Sequence, residues 1–149
     1  MNHHPDTATL NDLIEVLNDG KTFYTEAADK VRPDLADLFR RMARTKAAIA
    51  GDLAGLVASA GEKPADGGTF VGAMRKFYAE VRSSLSSAQD ATYVSQLEEF
   101  EDRILDAFRK VVENSDDAAT RAIAQRHLPQ ITRDHDDMRA LKQIEAAHS

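Results

Sequence analysis

Val31-Arg32-Pro33 constrains this chain more than any other stretch, because it joins two long apolar stripes with almost no linker. Before it, Leu10, Leu13, Leu17, Tyr24, Ala28 and Val31 recur at three- and four-residue steps. After it, Leu35, Leu38, Met42, Ile49, Leu53 and Leu56 do the same. Such spacing marks one face of an α-helix. Pro33 suits the first position of a second helix, and so short a link folds the two helices into an antiparallel pair. Thr9 and Asp12 are placed for a capping box at the start of the first helix. Gly20 sits inside that helix, where glycine costs about 1 kcal/mol relative to alanine, so a local bend or a close helix approach is expected there. Gly61 is placed to end the second helix near Ala60.

GEKPADGG, residues 61–68, reads as a loop. The segment after it carries Phe70, Met74, Phe77, Tyr78, Val81 and Leu85 at helical spacing. A further helix is expected from about Asp90 to Asn114, and a last one from about Asp116 to Ala147. Pro129 lies inside the last and removes a hydrogen bond to Gln125, so a kink is expected. No segment alternates with period two, and the chain reads as all-α. The helix over 69–86 would span ~27 Å at 1.5 Å per residue, enough to carry the chain from one end of a bundle to the other. The expected fold is a four-helix bundle with a helical crossover between its second and third main helices, the ferritin-like connection. The helices near 34–60 and 90–114 would then run parallel. A plain up-down-up-down bundle would leave the 69–86 apolar stripe without a role. One domain over 1–149 is expected, with residues 1–8 as a flexible tail.

Composition narrows the function. Hydrophobic residues at 42% and charged residues at 30% describe a globular chain long enough to bury a core. A net charge of −6 argues against binding to nucleic-acid phosphates. The absence of cysteine removes disulfides, thiolate metal sites and a Cys nucleophile. The N-terminus has neither the basic nor the apolar region of a signal peptide, and no apolar run approaches the ~20 residues of a membrane span. A cytoplasmic location is expected. His3 and His4 read as part of the tail.

ITRDHDDMRALKQIE, residues 131–145, sets His135 among Asp134, Asp136 and Asp137. The inward seam of that helix runs Leu128, Ile131, His135, Met138, Lys142, which leaves Asp136 and Asp137 facing water. On the preceding helix one face reads Val94, Glu98, Glu101, Leu105, Phe108, Val112, with two carboxylates on an otherwise apolar stripe. Glu98, Glu101 and His135 are therefore the candidate metal ligands. The competing interpretation is a buried polar network in which Glu98 and Glu101 pair with Lys21, Lys46 or His135, with Asp134 alongside. Unpaired buried carboxylates would be costly, so some partner must exist. Ferritin-like di-iron bundles use two Glu-x-x-His pairs, and none occurs here in that role. No catalytic residue is assigned: Ser83, Ser84, Ser86 and Ser87 lack a nucleophile signature.

LNDLIEVLNDGKTFYTEAADKV (residues 10–31), DLADLFRRMA, GTFVGAMRKFY, LEEFEDRILDAFRKV and RDHDDMRALK together resemble the DUF2383 family of bacterial ferritin-like four-helix proteins. The resemblance covers nearly the whole chain. It implies a ferritin-like bundle and, by analogy alone, stress-related or metal-related roles. Acidic residues are frequent in the family where this chain has Lys21 and Thr45, while Glu98, Glu101 and His135 match. A lysine there replaces an anionic ligand with a competing cation.

Two functions fit these residues. One is a non-catalytic, stress-associated bundle acting through its surface, with no cofactor and an interior network of Lys21, Thr45, Lys46 and Asp134 around the glutamates and histidine. The other is a mono- or dinuclear site on Glu98, Glu101 and His135 with oxidase or storage chemistry, whose oxygen and nitrogen ligands suit iron or manganese. A homodimer through the Phe70–Leu85 stripe is expected, with no nucleic-acid or membrane partner.

Overall fold

The computed structural model describes residues 5–68 and 89–147. Four helices make up these residues, α1 (Thr7–Ala28), α2 (Pro33–Ser59), α3 (Gln89–Asn114) and α4 (Ala118–Ala147), and no strand occurs among them. α1 packs most extensively on α2 and α3 on α4, and contacts between α1 and α3 and between α2 and α4 close the ring. Leu10, Leu17, Tyr24, Phe39, Leu53, Leu97, Ile104 and Phe108 are among the side chains fully withdrawn from solvent in the shared core.

Local chemistry sets the helix ends. Pro33 opens α2 as its first residue, after Arg32 in an extended conformation. Gly61, at φ +81°, follows the last turn of α2. Its N–H reaches Ala58 O at 2.9 Å and that of Glu62 reaches Val57 O at 3.3 Å, the paired bonds that close a helix through a left-handed glycine. The start of α1 differs from the expected Thr9–Asp12 box. Asp6 is the cap, accepting from Thr9 N at 3.1 Å and from the Thr9 hydroxyl at 2.6 Å. The helix thus begins at Thr7, inside the stretch expected to be a tail. Asp117 caps α4 in the same way, accepting from Thr120 N at 2.8 Å. The Thr120 hydroxyl in turn accepts from Asp6 N at 3.0 Å, which ties the starts of α1 and α4 together. α4 continues through Pro129 as one helix.

The pairings fix the directions. Gly20 lies against Phe100 and Ile104 while Thr9 shares a groove with Lys110, so α1 and α3 are antiparallel. α1 and α2 are antiparallel through their short turn. α2 and α3 therefore run parallel, as expected, and the chain between them must travel the length of the bundle. Its first part is visible. Asn11 donates to Lys63 O at 3.2 Å and accepts from Ala65 N at 2.8 Å, and Asn18 donates to Gly67 O at 3.3 Å. Residues 63–67 thus run back along α1. The crossover helix expected at 69–86, with its Phe70–Leu85 stripe, lies outside the described residues.

The seam between α2 and α4 is bridged by charge at three levels. Arg32 pairs with Glu145, Lys46 with Asp134 at 3.0 Å, and Asp52 with Arg126 and, at 2.6 Å, with His127. Arg32 also lies 3.6 Å from Asp90, binding the α1–α2 turn to the start of α3.

Gly20 is the close helix approach that its position in the sequence called for. A Cβ built there would stand 3.1 Å from Ile104 Cδ1 and 3.3 Å from Phe100 Cε1. The Phe100 ring cannot turn aside freely, since it packs edge-on against Phe23 with centroids 4.7 Å apart. Gly20→Val should push α1 from α3 and lower the unfolding free energy by about 1–3 kcal/mol in denaturant titration, the usual cost of overpacking.

Candidate functional site

Lys46 lies on the inner stripe of α2, between Met42 and Ile49 at three- and four-residue steps, and its side chain is only 1% exposed. Its ammonium donates to Glu101 of α3, 2.7 Å from Oε1 and 2.9 Å from Oε2, and to Asp134 Oδ2 of α4 at 3.0 Å. The other oxygen of Asp134 accepts from Gln130 Nε2 at 2.9 Å. The ammonium also lies 5.3 Å from the centre of the Tyr24 ring of α1, within cation–π range. Side chains from all four helices thus meet in one buried cluster.

This cluster holds one cation and two carboxyl groups. Burial pushes the Glu101 carboxyl above its ordinary range, against the opposing pull of Lys46. The Tyr24 phenol is held well above its ordinary value, first by burial and then by the negative charges of Glu101 and Asp134. Its buried hydroxyl lies close to those charges, Glu101 foremost.

Two members expected in this network stand outside it. Lys21 is exposed, although it stands at three-, four- and seven-residue steps from the buried Ile14, Leu17, Tyr24 and Ala28 of the same helix. Thr45 is half-buried and spends its hydroxyl on Arg41 O of its own helix at 3.1 Å. Lys46, Asp134 and Glu101 are the residues that meet.

A second cluster lies beside the first, between α3 and α4. Glu98, Asp102 and His135 bring one donor atom each to within 4.8 Å of one another. His135 Nε2 is 2.5 Å from Asp102 Oδ1 and its Nδ1 is 3.0 Å from Asp136 Oδ1. Glu98 is buried and accepts from Lys142 Nζ at 3.3 Å. Burial of the His135 ring works against its charged form. The hydrogen bonds that the ring donates to Asp136 and Asp102 outweigh it and hold the ring above its ordinary pKa. Asp136 and Asp137 are exposed, as the seam of α4 required.

Glu98, Glu101 and His135 therefore do not share one site. Consecutive residues on a helix diverge by 100°, so Glu101 turns into the core while Asp102 turns to α4. Asp134 likewise enters the core while His135 turns to α3. Asp102 is the member that reading the sequence missed. Its signal was its place four residues after Glu98, on the same helix face.

Two measurements check the interior cluster. Lys46→Met leaves two carboxyl groups buried without their cation and should cost about 3–5 kcal/mol in denaturant unfolding. Lys46→Met/Glu101→Leu/Asp134→Leu should regain most of that loss. The second concerns pH. The raised value of folded Glu101 means that its contribution to stability is full below the ordinary glutamate value of about 4.3 and is lost as pH rises through the raised one. Unfolding free energies of the wild type should show that decline, and Glu101→Gln should lack it.

No curated protein matches the chain. No helix among the described residues is long and apolar enough to cross a membrane. The family described as a domain of unknown function, DUF2383, matches residues 7–114. That span takes in α1, α2 and α3 and stops before α4, which supplies Asp134 and His135. The resemblance read from the sequence extended further, into α4. Covering well over half of the residues, the match establishes that the chain belongs to the DUF2383 family.

Proposed function

We propose that this protein is a non-catalytic bundle whose interior ionic cluster serves structure rather than metal redox chemistry. One observation carries this reading: the buried Lys46 ammonium lies 2.7 Å from Glu101 and 3.0 Å from Asp134. Ferritin-like di-iron bundles place inward carboxylates and histidines around two cations at the middle of the bundle. Here the middle holds a fixed cation of its own, and Glu101 and Asp134 are committed to it. A metal ion entering beside Lys46 would meet its positive charge at short range in a medium that screens poorly. The residues present do not fit a dinuclear centre.

An oxidase or storage site on Glu98, Glu101 and His135 would need Glu101 to leave Lys46 and turn toward His135. That movement would strand a buried ammonium, a loss of several kcal/mol. The iron- or manganese-dependent alternative is therefore the weaker of the two for the interior.

Aerobic incubation with ferrous iron tests the proposal. Iron oxidation and oxygen uptake should be the same for the wild type and for Glu101→Gln at every protein concentration. A rate that rises in proportion to protein and falls in Glu101→Gln would overturn the reading.

A further inference from the structure

The cluster between α3 and α4 has what the interior lacks, a histidine beside two carboxylates whose cationic neighbour, Lys142, is partly exposed rather than locked in the core. We infer that Glu98, Asp102 and His135 form a mononuclear site for a divalent transition-metal ion. The inference is separate from the non-catalytic reading, because Lys46, Glu101 and Asp134 take no part in it.

Donor chemistry comes first. One imidazole nitrogen with two carboxylate oxygens suits zinc, manganese or ferrous iron, and not a soft ion that requires thiolates. Geometry follows. An ion about 2.1 Å from each ligand holds its donors within about 4.2 Å of one another. The three donor atoms already lie within 4.8 Å, so closure needs only small side-chain adjustments. Glu98 and Asp102 are one helical turn apart on α3, and His135 faces them from α4.

Orientation of the histidine is the independent observation. Asp136, which is not one of the three, engages His135 Nδ1 at 3.0 Å. A carboxylate on one ring nitrogen fixes the tautomer and aims the other nitrogen outward, the arrangement that metal-bound histidines commonly show. Nε2 is thereby directed at Asp102 and the space beside Glu98. The ion would take the place of the Nε2 proton. Glu98 is buried, so its charge is poorly screened by water, and its partner Lys142 is 44% exposed and can swing into solvent. Asp102 is 53% exposed, which gives the ion a route in. Three protein donors leave a position open for water or a small anion.

The test uses the full chain carrying His3→Ala and His4→Ala, so that the N-terminal histidines cannot contribute. Zinc binding is measured by calorimetry, and cobalt binding by its visible spectrum. The expected result is one ion per chain, with a cobalt spectrum showing nitrogen and oxygen ligation. Asp102→Asn, at an exposed position that should not disturb folding, should weaken binding at least about tenfold, and Asp136→Asn by about 10–100-fold. Lys142→Met should tighten it by removing the competing ammonium. Glu99→Gln, on the solvent face of α3, is the control and should leave affinity unchanged. Absence of saturable binding would overturn the inference. So would equal losses in Asp102→Asn and Glu99→Gln, which would mark general attraction to an acidic surface, or an Asp102→Asn protein that binds as tightly as its parent.

Discussion

The Lys46 ammonium reaches carboxylates on two different helices, at 2.7 and 3.0 Å, in a space closed to water, and stands over a tyrosine ring from a third. Removing such charges from water costs several kcal/mol per ion, and their mutual attraction roughly offsets this when the geometry is good. The net gain in stability is small, but the constraint on structure is large. Any rotation of α2, shift of α4 or change of register in α3 would separate the partners and leave a bare charge in the core. The surrounding apolar side chains would tolerate small slips of that kind far better, since hydrophobic attraction is non-directional. The ionic cluster thus penalises such slips more heavily than an oily core would.

Architecture was legible in the sequence because helical spacing, Pro33 and Gly61 all act locally. The parallel course of α2 and α3 also followed, since it depended on the length of chain between them. The site was only half legible. Glu98, Glu101, Asp134 and His135 all face inward to some degree, and spacing alone merged them into one group. What separates them is the position of α2 relative to α3 and α4, a long-range fact. Lys46 reaches the centre and draws Glu101 and Asp134 to itself, leaving Glu98, Asp102 and His135 on the outer seam. Lys21 looked interior for the converse reason. It stands at helical steps from the buried Ile14, Leu17, Tyr24 and Ala28, yet it is exposed, and local spacing carries no information on which part of a helix face its neighbours cover.

The family match ends at residue 114. Glu98, Glu101, Asp102 and Lys46 belong to the matched span, and Asp134 and His135 do not. Each cluster thus joins residues within the shared segment to residues beyond it. The chemistry of both depends on how the last helix docks against the other three.

The charged rungs across the α2–α4 seam also bear on how the molecule moves. α1–α2 and α3–α4 are helical hairpins built from contacts close in sequence, and each is packed more tightly within itself than across that seam. Two of the three rungs, at Arg32–Glu145 and Asp52–Arg126/His127, lie at the partly hydrated ends, and one lies in the dry middle. The outer rungs can exchange with water at little cost, whereas the central one cannot part without exposing its charges. An opening of that seam which let water reach Lys46 would have to break its least hydrated contact, so amide protection should be deepest around the central rung.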